Sequence, residues 1–163
     1  MHMNRNIIIA AAMLMLFSSC TGGKKQYFSN VSTGETFLSV IGFDDGSQKD
    51  YTVVTDVLYA GTDPSSRYKM VFYLPDGWDD SYPLFLDRSM PVEGDRAAWT
   101  AYQGAPAAEA ALKEGNMIVV LIAYDEGTAI PDILLAQEFL VKNDSDLPGN
   151  SKNILTSAYF EFE

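Results

Sequence analysis

The stretch Met117-Ile118-Val119-Val120-Leu121-Ile122-Ala123 is apolar at every position. A strand with one wet face alternates polar and apolar side chains, because successive residues point to opposite sides of the sheet. A run without a polar member therefore predicts a strand covered on both faces, at the centre of the fold. The residues before it carry helix signals. Pro106 suits a first helical position, Ala107, Ala108, Ala110, Ala111 and Leu112 are strong helix formers, and Gly115 follows Glu114 as a stop. A helix feeding a doubly covered strand is the unit from which parallel sheets are built.

Working outward, Thr36 to Phe43 reads as a strand ended by the turn Asp44-Asp45-Gly46, and Tyr51 to Tyr59 as a second strand. Gly61 to Ser66 is a turn cluster, Arg67 to Leu74 a third strand broken by Pro75-Asp76-Gly77, and Tyr82 to Leu86 a short buried fourth. Asp95 can cap a helical turn beginning at Arg96. Pro131 to Lys142 has Ile133, Leu134, Ala136, Gln137, Leu140 and Val141 near helical spacing, with a strand as the alternative. Asn143 to Asn153 reads as a polar loop and Ile154 to Phe160 as a final strand. These elements predict an α/β fold, a single domain of three-layer type with two or three helices. Its mixed sheet has an antiparallel start and residues 117–123 as the buried central strand. An α+β arrangement or a β-rich sandwich is the alternative.

The beginning of the chain has a different character. Arg5 precedes a continuous apolar run from Ile7 to Phe17, and Ser18-Ser19 places small residues directly before Cys20. As a helix the run reaches ~17 Å, short of a ~30 Å hydrocarbon core, so it reads as a secretory signal. Leu16-Phe17-Ser18-Ser19-Cys20 resembles the lipobox of bacterial lipoproteins, with Phe17 where Leu is usual. That resemblance implies cleavage before Cys20 and lipidation of its thiol. Residues 1–19 are then the signal peptide, 20–26 a lipidated tether and 27–163 the folded domain. It also implies a bacterial cell-envelope location, held by acyl chains. The outer membrane is the favoured site, with the domain facing the periplasm, because Gly22-Gly23-Lys24-Lys25 is not an acidic export run.

Charge and residue counts exclude several function classes. The chain has 11 basic and 22 acidic side chains, a formal charge of −11, and loss of Arg5 with the leader makes the mature protein more acidic still. A phosphate backbone is repelled by such a chain, so no nucleic-acid partner is expected. An anionic bilayer is repelled as well, which leaves attachment to the lipid anchor. His2, in the leader, is the only histidine, and Cys20 is the only cysteine. The mature protein then has neither an imidazole nor a free thiol. Ser-His-Asp and Cys-His chemistry are excluded, and zinc loses its usual ligands. Carboxylate chemistry, oxygen-ligated calcium or plain binding remain. Neither a cofactor nor a metal is expected. Asp44-Asp45-Gly46, Asp76 to Asp80 and Asp144 to Gly149 are ordinary turn compositions, and Pro148 stands where a calcium loop needs a ligand.

Within Tyr68 to Leu86, the segments Tyr73-Leu74-Pro75-Asp76-Gly77-Trp78 and Tyr82-Pro83 resemble the esterase D and feruloyl esterase group of α/β-hydrolases. In that group a strand ends in Tyr-Leu-Pro-x-Gly-Tyr, and a Tyr-Pro dipeptide leads into the next strand. Trp99, Gly104-Ala105-Pro106, the Ala-rich helix, Glu114-Gly115 and Ile118-Val119-Val120 follow in the family's order, so the resemblance covers residues 51–125. The catalytic parts do not carry over. Where the family has a His-Gly pair that helps build the oxyanion hole, this chain has Asp87-Arg88-Ser89-Met90. It contains no Gly-x-Ser-x-Gly elbow, and no catalytic residue is assigned.

Candidate ligand residues are of two kinds. Trp78, Tyr82 and Trp99, with Tyr73 and Tyr102, are aromatics of the sort that stack on sugar rings. Asp87 and Arg88 end a strand where open α/β sheets bind ligands. The expected function is a non-catalytic envelope lipoprotein whose partial hydrolase domain is an accessory or glycan-associated binding module. A truncated serine esterase, its nucleophile and histidine in missing sequence, is one alternative, and a structural envelope protein is another. A hydrolase half would also expose the edge of its central strand. Residues 131–163 are therefore expected to cover Ile118 to Ala123, or a second copy or partner chain must do so.

Overall fold

The computed structural model describes residues 25–59, 69–89, 106–124 and 130–160. Six strands form one mixed sheet with two helices: β1 Thr36–Gly42, β2 Gln48–Leu58, β3 Lys69–Pro75, β4 Pro83–Arg88, α1 Pro106–Glu114, β5 Ile118–Ala123, α2 Ile133–Lys142 and β6 Asn150–Leu155. Their order across the sheet is β1-β2-β3-β5-β4-β6. Strands β1 to β3 and the β3–β5 pair are antiparallel, whereas β4 runs parallel to both β5 and β6. The antiparallel start follows the expectation; the central β3–β5 pair is antiparallel as well, and the parallel pairs lie toward the β6 margin.

The central strand shows why its sequence has no polar position. Val119, Leu121 and Ala123 pack with Ala108, Ala111 and Leu112 of α1 on one face. Ile118, Val120 and Ile122 pack with Ala136 and Leu140 of α2 on the other. Each of the Val, Leu and Ile side chains among them stabilises the fold by about 1.5–3 kcal/mol on burial. The two helices are thus set on opposite faces of the sheet. The edge of β5 is not protected as anticipated, however. Strands β3 and β4, which precede it in the chain, flank it, while α2 covers one face and β6 pairs only with β4.

Local chemistry explains the joints. The β1–β2 hairpin turns through Asp44-Asp45-Gly46, with Gly46 at φ 84°. Strand β2 therefore begins at Gln48 rather than Tyr51. A register shift between Val54 and Val57 accompanies Asp56 at φ 53°, the bulge geometry that bends a strand. Strand β3 begins at Lys69; the turn cluster at 61–66 and the helical turn at Arg96 lie outside the described residues.

The C-terminal region differs from the sequence reading. The last strand is Asn150–Leu155 rather than 154–160, and Ser157–Phe160 is a 3-10 turn whose Phe160 ring meets Phe85 at 5.5 Å. Asn150-Ser151-Lys152-Asn153 is polar and reads as loop. It lies at a sheet margin, where Lys152 and Asn153 stay exposed and a strand needs no apolar run. The preceding loop is not solvated either: Asp146, Leu147, Pro148 and Gly149 are buried. Gly149 has φ 88°, and a Cβ there would sit 2.5 Å from Leu84 Cδ2.

Helix α1 ends under a buried phenol. Its last carbonyls lack intrahelical donors, and the Tyr51 hydroxyl donates to Leu112 O. Tyr51→Phe is expected to lower stability by about 1–3 kcal/mol, since Leu112 O loses a buried partner. The shift of a urea midpoint at constant slope measures it.

Candidate functional site

The sheet has two ends, and the sequence-derived ligand residues divide between them. Asp87 and Arg88 close β4 at its C-terminal end. The chain leaving β4 returns through α1 on one face, and the chain leaving β5 returns through α2 on the other. In open α/β sheets, the C-terminal ends of strands with such connections are the usual place for a ligand.

Asp87 and Arg88 do not form an isolated pair there. Neighbours on a strand face opposite sides, and Arg88 Nε donates to Pro131 O at 2.7 Å, just ahead of α2. Asp87 Oδ1 accepts the Arg88 backbone N–H at 2.8 Å. Burial raises the Asp87 carboxyl above the ordinary carboxylate range, opposed by that hydrogen bond and by the Arg88 charge. Ser89 is buried, and its N–H continues the ladder to Ile122 O at 3.0 Å. A half-buried carboxylate at the mouth of two parallel strands is suited to accept hydrogen bonds from hydroxyl or amide donors of a ligand.

The raised pKa has a stability consequence. The folded carboxyl keeps its proton to higher pH than the unfolded chain does. Stability is therefore full below the unfolded carboxylate pKa and falls as pH rises through the folded value. Asp87→Asn keeps the acceptor for Arg88 N–H and removes the desolvated charge. It is expected to stabilise the domain at pH 7 by about 1 kcal/mol or less, because solvent screens so exposed a group. Thermal melts at pH 4 and pH 7 measure it; the gain should vanish at the lower pH.

Trp78 and Tyr82 sit at the opposite end, in the loop from β3 to β4. Trp78 is half-buried, packs on the core beneath α2, and meets Tyr27 edge-on with ring centroids 5.0 Å apart. Tyr82 is likewise half-buried against that core, and its carbonyl accepts Asn150 N–H at 2.8 Å. Tyr73 is fully committed to the core beneath α1. The aromatics named for sugar stacking therefore hold loops and core together, and they do not join Asp87 and Arg88. Trp99, Tyr102 and Cys20 lie outside the described residues.

What the sequence reading missed is a strap. Residues 25–31 lie across the Trp78 end of the sheet. The Lys25 ammonium donates to Leu147 O and stands 3.8 Å from Asp80. The Tyr27 hydroxyl donates to Asp80 Oδ2 at 2.8 Å, and burial beside this carboxylate pushes the phenol's pKa up. Asp146, buried in the following loop, accepts Ser29 N–H at 2.8 Å, Ser29 Oγ at 2.6 Å and Asn30 N–H at 2.9 Å. Gly149 N–H reaches Asp80 Oδ1 at 3.1 Å. Lys25, inside the segment read as tether, thus contacts the folded domain. No local signal marks pairs separated by more than a hundred residues. Asp144-Ser145-Asp146 instead resembles the start of a calcium loop, yet its Asp146 carboxylate is occupied by backbone donors.

Other acidic turns are committed in the same way. Asp79 Oδ1 accepts the Ser81 hydroxyl and, at 2.8 Å, the Ser81 N–H, which together hold its carboxyl below the ordinary range. Asp45 is held low by Lys113 at 2.8 Å and by Ser47. Among the described residues, no group of three or more His, Cys, Asp or Glu side chains is placed to hold a metal ion.

The strand-to-turn junction after β6 contains an exposed serine, Ser157. A hydrolase nucleophile is displayed on a sharp, strained turn after a strand. Among the described residues only Phe28 and Asp56 adopt positive φ outside glycine, so Ser157 carries no left-handed strain of that kind.

No protein-family model matches the chain. No curated protein matches it. Among solved structures, a similar chain is an aminopeptidase from the marine sediment archaeon Thaumarchaeota archaeon, at 13% identity and a TM-score of 0.38. The likeness covers 85% of this chain and 22% of the aminopeptidase, so this chain spans under a quarter of that enzyme's length. At that TM-score it carries no argument about activity.

Proposed function

We propose that this protein is a lipid-anchored component of the bacterial cell envelope that acts by binding. Its folded part resembles the leading half of an esterase-type hydrolase sheet. The supporting observation is a half-buried carboxylate, Asp87, in the C-terminal part of β4 and paired with Leu121 of the parallel β5, in a chain that beyond Cys20 has no histidine or thiol to run nucleophilic chemistry. Hydroxyl-rich ligands suit such a carboxylate, and glycans are the abundant polyhydroxylated ligands of an envelope.

An oligosaccharide array read with the purified domain tests the reading. Binding is expected, and Asp87→Asn should weaken it about tenfold, the loss typical of one hydrogen bond to a charged group. Trp78→Ala should act through the strap and lower stability instead. An array without any bound glycan overturns the glycan reading. The runner-up is a truncated serine esterase, its nucleophile and histidine in missing sequence, favoured by the antiparallel-then-parallel strand order. DNA downstream of the Glu163 codon that encodes a frameshifted Gly-x-Ser-x-Gly would establish it.

A further inference from the structure

We propose that the strapped end of the sheet, formed by residues 76–82 and 143–149, is the surface this protein turns toward the lipid bilayer. The C-terminal ends of β4 and β5 then point away from it. The proposal rests on lipidation at Cys20 and adds an orientation to it.

The strap supplies the geometry. Lys25 is fixed to Leu147 and Asp80, and Ser29 and Asn30 to Asp146. All three partners lie in connections at the same end of the sheet, before β4 and before β6. Cys20 is five positions from Lys25, a reach of at most ~18 Å even fully extended. A domain of this size has a radius of gyration near ~14 Å and hence a diameter of roughly 35 Å. The anchor chain is about half that length. It keeps the strapped end, where Lys25 is held, nearer the headgroups than the opposite end, where Asp87 and Ser89 lie. The surface is acidic, with Asp76, Asp79, Asp80 and Asp144 exposed. Anionic lipid repels it, so the covalent anchor holds it near the bilayer and adsorption does not.

Energy transfer tests the orientation. The chain is produced with its own leader, recovered from membranes and placed in phosphatidylethanolamine–phosphatidylglycerol vesicles carrying an acceptor dye on the headgroups. A donor maleimide is attached at Asp76→Cys, on the strapped end, or at Ile130→Cys, an exposed position beside the Arg88 end. Transfer from Asp76→Cys should exceed that from Ile130→Cys about twofold or more, and Ser145→Cys should behave like Asp76→Cys. Equal or reversed transfer overturns the orientation and leaves lipidation standing. Lipidation is read separately on the unsubstituted chain, whose only thiol is Cys20. Acylated, it takes up no maleimide; labelling there overturns the anchor and the orientation together.

Discussion

Asp146→Ala should release the strap and lower stability by about 3–5 kcal/mol, the range for removing a buried charged acceptor from several donors. The carboxylate is 3% exposed and serves two backbone N–H groups and one hydroxyl. The Ser29 hydroxyl also reaches Gln26 O, at the longer distance of 3.5 Å. Phe28 would retain its N–H bond to Asp146 O and its edge contact with Phe72, at 5.2 Å between centroids, so the strap should loosen from residue 29 outward. Amide exchange at Ser29 and Asn30 should approach solvent rates, with an earlier denaturant midpoint. Asp146→Asn keeps one oxygen and should fall between. Protected amides at Ser29 and Asn30 in the alanine variant would show that the carboxylate does not hold the strap.

Cys20→Ser is expected to move the protein from the membrane fraction to the soluble fraction almost completely. A serine hydroxyl is not the thiol that a lipobox presents, and each buried methylene of a lost acyl chain removes about 0.8 kcal/mol of attachment. The acidic domain offers no replacement, since an anionic bilayer repels it. Residue 20 is assigned to the tether and not to the folded domain, so the melting temperature of the domain should be unchanged. A variant that stays in the membrane fraction refutes the lipoprotein reading. One that leaves the membrane and also melts earlier would mean that residue 20 contributes to the fold.

Much of the architecture was legible because it depends on local pattern. The apolar run at 117–123 could be nothing but a doubly covered strand, and Pro106 with Gly115 bracket α1 as helix chemistry requires. The polar run Asn150 to Asn153 misled because a margin strand leaves its side chains in water, and such residues look like loop until a partner strand is present. The placement of the candidate ligand residues was half legible. Asp87 and Arg88 were expected at a strand end, where they lie, but Trp78 and Tyr82 were grouped with them only by residue type. Strand β4 runs between them, about 17 Å long at a rise of ~3.3 Å per residue, so the two sets occupy opposite ends.

By itself the sequence determined the buried central strand and the presence of a single histidine, His2, and a single cysteine, Cys20. These are properties of residue type and short-range spacing, which no fold can alter. Only the tertiary structure decided that β3 and β4 flank β5, that Asp87 stands apart from Trp78, and that Asp146 clasps residues 29 and 30. Those outcomes depend on which distant segments share one sheet and one loop cluster. Loop closure over a hundred residues leaves no periodic trace in the chain, because its cost grows only slowly with length and any well-paired partner can repay it.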